Sequence, residues 1–407
     1  GDLPVTDILQ MLGRAGRGNE PGYGELLVDD EVTGEMYAQQ LRARELPPLR
    51  PQMFAAASED PWKPRNATEE QDRILQSLVL SEVVVRGRAT PGQVEAFLKS
   101  TFSAYIHGFR VNVALVLSQL AQWHLIQKVE GSEDVYEARS LGRVTCLTAI
   151  HPQTGAALGG LLVGLLRLGE KEKDLDPSKE EGYLRRLRDL DLLFMVSAAL
   201  EMRQFLLSSP GKRGVQHAQE YIERLDPEEK PVLNLWRSEV NRYRGPNRLL
   251  ATLKVAIDSG RPGRAEQKFY QLMRTAILVH RHSRGVPLER LAGEYGMDEG
   301  TLEQGLKMTA LWILSALAQI CDSRKCYKLD FLMLRALNLI EKVKYGSGLA
   351  PLLRLEGIGK RTIQKLTKGG YTRPKDFEGS TEDGLRQHGL SHKQASKILK
   401  AIRKPRR

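Results

Sequence analysis

The sequence predicts a mainly α fold, and three observations carry that prediction. Between Thr68 and Gly348, apolar residues recur at three- and four-residue spacing in one segment after another. Proline or glycine separates these segments, at Pro177, Pro210, Pro227, Pro231, Pro246, Pro262 and Pro287 among others. Strand-like runs are confined to Tyr23–Val28 and to the residues around Gly131-Ser132, and no repeat of fixed period runs through the helical part.

At 407 residues the chain exceeds one compact core, so two to four domains are expected. Its 41 % hydrophobic and 27 % charged composition is that of a globular protein and excludes a disordered or collagen-like chain. The longest apolar run, Ala156–Leu166, is interrupted by Gly159, Gly160 and Gly164 and falls short of the ~20 residues that span a bilayer, so no membrane role is expected. Three cysteines cannot build a disulfide framework, which points to a reducing, intracellular setting (cytoplasm or nucleoid). The opening Gly-Asp-Leu-Pro reads as the start of a piece cut from a longer protein.

In residues 1–50, a helical turn at Thr6–Leu12 precedes a glycine-rich loop, the apolar run Tyr23–Val28 and a helix over Glu31–Glu45. Pro47, Pro48, Pro51, Pro61 and Pro64 make residues 51–67 an irregular connector. Residues 68–140 begin with Thr68-Glu69-Glu70-Gln71, a helix-start pattern, and Thr90-Pro91 opens a second helix. A third is expected over Arg110–Lys128, then two short strands within Val129–Tyr136. Three helices and a hairpin are the plan of a winged helix. The acidic Glu130, Glu133 and Asp134 in the wing argue for a structural spacer rather than a DNA grip.

Residues 141–348 read as a helical bundle, with helices over Gly182–Ser208, Arg264–His282, Asp298–Asp322 and Leu329–Tyr345. Cys321 and Cys326 have only Cys146 as a further thiol, too few for a tetrahedral metal site, so no metal is assigned. His280 and His282, two apart, read as surface residues on different helix faces, and Trp62, Trp123 and Trp236 read as packing residues. A helix-turn-helix over Leu288–Leu302 is set aside because its second helix runs on into Leu311-Trp312-Ile313-Leu314, too apolar for a wet groove.

The excess charge is concentrated at the end. Pro351–Arg407 holds 15 Lys and Arg against 5 Asp and Glu, whereas the preceding 350 residues hold 46 against 45. Such a segment is either a solubilising tail or a phosphate binder. Within residues 349–407, Leu355-Glu356-Gly357-Ile358-Gly359-Lys360-Arg361 favours the second. Gly357 and Gly359 permit a tight turn that bares backbone amides at a helix N-terminus, with Lys360, Arg361 and Lys365 beside it. The string resembles a helix-hairpin-helix DNA-binding motif, with a degenerate second copy at Gly389-Leu390-Ser391 before a helix over Lys393–Ile402. A nucleotide-binding P-loop is excluded there, because Lys360 is followed by Arg361 rather than Ser or Thr.

Gln10-Met11-Leu12-Gly13-Arg14-Ala15-Gly16-Arg17 is the most specific string in the chain. It resembles the sixth motif of superfamily 2 helicases in the form found in the Ski-like branch. The later segments are similar to the ratchet-type DNA helicases of that branch, such as the archaeal fork-repair helicases, through Thr101-Phe102, Leu141-Gly142-Arg143, Ile150-His151-Pro152-x-Thr154 and Tyr345-Gly346. The resemblance implies that residues 1–50 are the end of a second RecA-like α/β lobe. It gives Arg14 and Arg17 the role of arginine fingers on the γ-phosphate and Gln10 a place in coupling nucleotide to DNA, a chemistry worth roughly 10³–10⁵ in rate. It makes residues 141–348 a ratchet bundle, whose long helix Asp298–Asp322, roughly 37 Å long, crosses the unwound 3′ strand and stacks a base on Trp312. Core packing is the competing role for Trp312, given Leu306, Ile313, Leu317 and Ile320 around it. The family places a basic residue two turns before this Trp; Gly305 stands there, and Lys307 is the nearest cation.

The function implied is that of the C-terminal region of an ATP-dependent 3′→5′ DNA helicase in replication-fork or recombination repair. Its partners would be single-stranded and forked DNA, an upstream RecA-like lobe, and repair or replication proteins. No Gly-x-x-x-x-Gly-Lys-Ser/Thr string and no Asp-Glu-x-His occurs, so ATP and Mg²⁺ would be bound mainly by the upstream lobe, and this chain alone is expected to be inactive with no cofactor of its own. The alternatives are a non-catalytic strand- or partner-binding module, or an RNA helicase of the same branch. A chain ending at Arg407, directly after the hairpin segment, favours DNA over RNA.

Overall fold

The computed structural model describes residues 8, 25–28, 30–43, 67–109, 111–132, 134–173, 187–208, 212–231, 262–322 and 324–403. Among them the chain is mainly helical, with three short strands. It divides into two compact units: residues 1–67 with 99–110, and residues 68–98 with 111–407.

In the first unit, α1 spans Glu31–Ala43, and the last two residues of the expected helix lie outside the described residues. Asp30 caps it, accepting from the Thr33 backbone N–H at 2.8 Å and from the Thr33 hydroxyl at 2.7 Å. Residues 25–28 form no strand, and Leu27 is 92 % exposed. Among the described residues no strand lies beside this run to give it a ladder. The expected turn at Thr6–Leu12 and the connector 51–67 lie outside the described residues, apart from Ile8 and Ala67.

In the second unit, α2 spans Ala67–Arg86, β1 Arg88–Ala89 and α3 Pro91–Lys99. Thr90 and Gln93 cap α3 reciprocally, each side chain accepting from the other's backbone N–H at 3.3 and 2.9 Å. A short helix, α4 (Phe102–His107), belongs to the first unit and is capped by Thr101. The helix expected over Arg110–Lys128 is α5, Val113–Gln122. It stops because His124 takes a left-handed backbone (φ 58°) and turns the chain into β2, Ile126–Lys128. Strand β3 is Tyr136–Ala138. The hairpin exists, but Val129–Val135 is its loop and the strands lie outside that loop. The sheet order is β1-β3-β2, antiparallel throughout, with Ile126 opposite Ala138 and Arg88 opposite Glu137.

The remaining helices are α6 (Ser140–Leu147), α7 (Pro152–Lys173), α8 (Asp189–Ser197), α9 (Lys212–Glu223), α10 (Pro262–Ser283) and α11 (Leu288–Tyr295). A π-helical segment, Thr301–Lys307, continues into α12, Met308–Cys321, and α13 spans Asp330–Tyr345. Helix α12 lies at the centre, against α13, α8 and α6, with Ala310, Ile313, Leu314, Leu317 and Ile320 essentially inaccessible. The stripe expected over Gly182–Ser208 does not stay helical. Ala199 is extended, and a 3₁₀ turn, Leu200–Phe205, follows. Hydrogen bonds across the fold stop the helix there: Leu200 N–H donates to Thr154 Oγ1 (3.1 Å), and Glu201 accepts from His151 N–H and Thr154 Oγ1–H, both at 2.7 Å.

The last segment has its own small core of Leu349, Ile358, Ile363, Leu366, Phe377, Leu385, Leu390, Ala395, Ile398 and Leu399. It comprises α14 (Lys360–Lys368), α15 (Glu382–Gln387) and α16 (His392–Arg403). Among the described residues no helix is long and apolar enough to cross a membrane.

His280 and His282 do not lie on the surface; they are 3 % and 9 % exposed. Helix α10 is covered by α8, α9 and α13 together, so residues two apart are both enclosed. Burial drives the His280 pKa down to about 4, against the opposing pull of Asp189, with Arg284 and Lys342 lowering it further. His280 therefore stays neutral, with Nδ1 2.9 Å from the Tyr221 hydroxyl. Between pH 6.5 and 4 the unfolded chain binds a proton there that the folded chain does not, so stability falls as pH drops through this window. Urea unfolding midpoints should show this loss, by at most about 3 kcal/mol from this site, and His280→Gln should flatten the dependence.

Candidate nucleic-acid interface

Along the helix that ends in α12, Thr301, Gln304, Met308, Trp312 and Ser315 are exposed, one turn apart, while the intervening positions are partly or fully covered. Trp312 sits on this stripe at 40 % exposure and Met308 at 50 %. The stripe takes Trp312 out of the core among Leu306, Ile313, Leu317 and Ile320, all of which are buried. Its ring is held at one edge, where the indole N–H donates to the Thr148 carbonyl at 2.7 Å. That carbonyl precedes Ala149, which has a left-handed backbone (φ 55°), uncommon for a residue with a Cβ. The turn is buttressed from behind by Glu201 through His151 and Thr154. A partly exposed ring fixed at its edge has the geometry on which another planar ring can stack.

The two positions before Trp312 behave differently from a strand contact. A Cβ on Gly305 would lie 2.4 Å from Phe205 Cε1, so this position faces the 3₁₀ turn and has no room for a side chain. Lys307 is only 13 % exposed and is paired with Glu303 at 2.5 Å. The charge of Lys307, the nearest cation to Trp312 in the sequence, is matched by Glu303 within the π-helical turn.

At the C-terminal hairpins, Gly357 and Gly389 have φ of 83° and 78°, a conformation that glycine adopts without strain. Gly359 is the N-cap of α14, and nothing lies within 4 Å of where its Cβ would be. Lys360 and Arg361 are exposed, and Lys360 Nζ lies 5.1 Å from the centre of the Tyr345 ring. Lys365 is exposed, and its Nζ donates to the Gly389 carbonyl at 2.7 Å. The reciprocal contact joins Lys397 Nζ to the Glu356 carbonyl at 2.9 Å. Gln394 Nε2 also donates to the Gly357 carbonyl at 2.9 Å.

These paired ties expose an internal correspondence: Leu353, Arg354, Gly357, Ile358, Lys365 and Lys368 match Leu385, Arg386, Gly389, Leu390, Lys397 and Lys400 at one constant offset. The two lysines become legible as a matched pair only once both halves are aligned. Helix α16 begins at His392, one residue earlier than expected.

Arg373 and Lys375 fasten this segment to the loop after α9, at 3.1 and 3.5 Å from Asp226. Gln10, Arg14 and Arg17, with Trp62 and Trp236, lie outside the described residues. Trp123 follows α5 as its cap and is half-buried. Burial pushes the Cys321 and Cys326 thiols up to about 12 and about 11, and among the described residues no group of three His, Cys, Asp or Glu is placed to hold a metal. The chain matches no protein-family model.

Gly305→Ala should drive a methyl into Phe205 and lower stability by roughly 1–3 kcal/mol in urea unfolding. Adding Phe205→Leu should recover most of the loss, because the smaller side chain vacates the contact.

Proposed function

We propose that the chain is the DNA-binding and translocation region of an ATP-dependent 3′→5′ DNA helicase, of the ratchet type its motifs resemble, acting in fork or recombination repair. The observation that carries the proposal is Trp312. It is an indole presented on the exposed stripe of an otherwise enclosed helix and held at its edge by the Thr148 carbonyl. Stacking on such a face ignores base identity, which suits a protein that moves along a strand.

Three further features support this reading. The β1-β3-β2 sheet, with α2 before β1 and α5 before β2, fits a winged helix within residues 68–140. The helices around α12 fit a ratchet bundle over residues 141–348. The paired glycine hairpins, with Lys360 and Arg361 exposed beside one of them, fit a helix-hairpin-helix unit over residues 349–407. In this proposal Arg14 and Arg17 complete an ATP site whose Mg²⁺ and phosphate-loop ligands come from an upstream RecA-like lobe.

The chain should bind a single-stranded oligonucleotide with an affinity that falls steeply as salt rises. Trp312→Ala should weaken that binding by about 1–3 kcal/mol without lowering the melting temperature; a collapse of the fold would return Trp312 to a packing role. Joined to the upstream lobe, the protein should show DNA-stimulated ATP hydrolysis that Arg17→Ala abolishes. Hydrolysis that survives the substitution would reject the arginine-finger role. Preference for a matched RNA strand would redirect the substrate class.

A further inference from the structure

A cleft of about 710 Å³ opens between the base of the β2–β3 hairpin, the start of α6 and the turn that follows α12. Five of its lining side chains are basic: His124, Arg139, Arg143, Arg324 and Lys325. No carboxylate belongs to the described residues that line it. Three of the four full cations bond internally to neutral oxygens. Arg139 Nε donates to Gln127 Oε1 (2.8 Å), Arg143 Nε to the Ala138 carbonyl (3.3 Å) and Lys325 Nζ to Gln319 Oε1 (3.0 Å). Of the four, Arg324 is the one paired with an acid among the described residues, Asp322 at 3.3 Å. Two further carboxylates stand nearby: Glu137, engaged by Gln127 at 2.9 Å and Arg88 at 3.4 Å and also felt by the charge of Arg143, and Asp330, which acts on Arg324. Grouped like charges repel, and an anion joining them would relieve that repulsion.

The wall of this cleft is built rather than incidental. The left-handed backbone of His124 sets the turn, and the next carbonyl, Leu125, accepts the Arg139 N–H at 2.9 Å. Helix α6 is pressed against the same carbonyl, since a Cβ on Gly142 would lie 2.0 Å from it. The backbone of Arg139 and Arg143, on either side of Gly142, is thereby fixed at the cleft, and both side chains are exposed there.

Two elements lead from the cleft to Trp312. Helix α6 starts there and ends at Leu147, just before Thr148, whose carbonyl holds the indole; its eight residues rise about 12 Å. Helix α12 runs on from Trp312 to Gln319, which Lys325 bonds. Three or four stacked nucleotides cover such a distance, at about 3.4 Å each.

We propose that this cleft is a second nucleic-acid subsite, one that takes backbone phosphate of a single strand while a base a few nucleotides away stacks on Trp312. The proposal rests on the strand-binding reading of Trp312 and adds to it the place where the strand's charge is met.

The test uses the whole chain and a fluorescent oligothymidylate of about 20 nucleotides, titrated by anisotropy over a range of salt concentrations. Arg143→Gln with Lys325→Gln should weaken binding at low salt and reduce the slope of log affinity against log salt by about 0.7 for each phosphate left without its cation. The charge-keeping pair Arg143→Lys with Lys325→Arg should retain most of the parent slope. Should the neutralised double variant fail to fold, the two single variants are compared instead, each expected to lose part of the slope.

Parent-like slope and affinity in the neutralised protein, with Trp312→Ala still weakening binding, would overturn the cleft and leave the proposed function standing. A parent chain that binds no oligonucleotide would remove both. Inorganic phosphate and pyrophosphate form a separate arm. If either raises the melting temperature of the parent but not of the neutralised variant, while the oligonucleotide slope is unchanged, the cleft is a free-anion site and the nucleic-acid assignment fails.

Discussion

A helix packed on nearly every side leaves one line of side chains for solvent, and the packing rather than the helix chooses that line. Helix α12 is in this position. Its alanines and leucines close against α6, α8 and α13, and its one open stripe contains Met308, Trp312 and Ser315. Rotating the helix by a single residue, ~100° about its axis, would bury the indole and expose Ile313 to water. Such a rotation would forfeit roughly 1.5–3 kcal/mol for each large apolar side chain brought out. The exposed position of Trp312 is thus a consequence of the core, not a local choice.

The same core has a second point of control in the 3₁₀ turn Leu200–Phe205. Glu201 accepts from the His151 backbone and the Thr154 hydroxyl and so braces the turn that offers the Thr148 carbonyl to the indole. Phe205, on the same short turn, rests on Gly305 in the π-helical segment before α12. One six-residue element therefore braces both the partner of the indole and the helix that carries it. Short π-helical segments within longer helices recur at functional sites.

The existence and order of helices were legible wherever an apolar period coincided with a capping residue. Thr90-Pro91 with Gln93, and Asp298 ahead of the long helix, are such places, and the helices begin there. What failed was the local reading of features set by distant parts of the chain. The stop at Ala198–Ala199 depends on Thr154, nearly fifty residues away. The burial of His280 and His282 depends on α8, α9 and α13 enclosing one helix from several sides, whereas a period-based reading assumes a single apolar face. Strand register in the hairpin shifted because a glycine-containing loop looks alike whether the strands begin close to its tip or several residues from it. At the candidate site, Trp312 was legible as a position but not as an exposed one, while the cationic cleft unites segments nearly two hundred residues apart and has no linear signature.

Placement of charge follows from the same competition between packing and presentation. The position two turns before Trp312 is filled by the ring of Phe205, and the adjacent Lys307 is matched to Glu303, so the stripe carries an aromatic face and no open cation beside it among the described residues. Lys365 and Lys397 are likewise engaged by hairpin carbonyls, which hold the two halves of the terminal segment together. A count of basic residues overstates what such a segment can offer to a phosphate. A lysine matched by a carboxylate inside the fold, as Lys307 is by Glu303, has its charge neutralised there. An arginine or lysine bonded only to neutral atoms keeps its charge and its spare donors for a partner. By that criterion the charge available near Trp312 lies beyond the end of α12, with Arg139, Arg143 and Lys325, rather than on the helix itself. Stacking and phosphate binding are then separated in space, each on the element whose packing permits it.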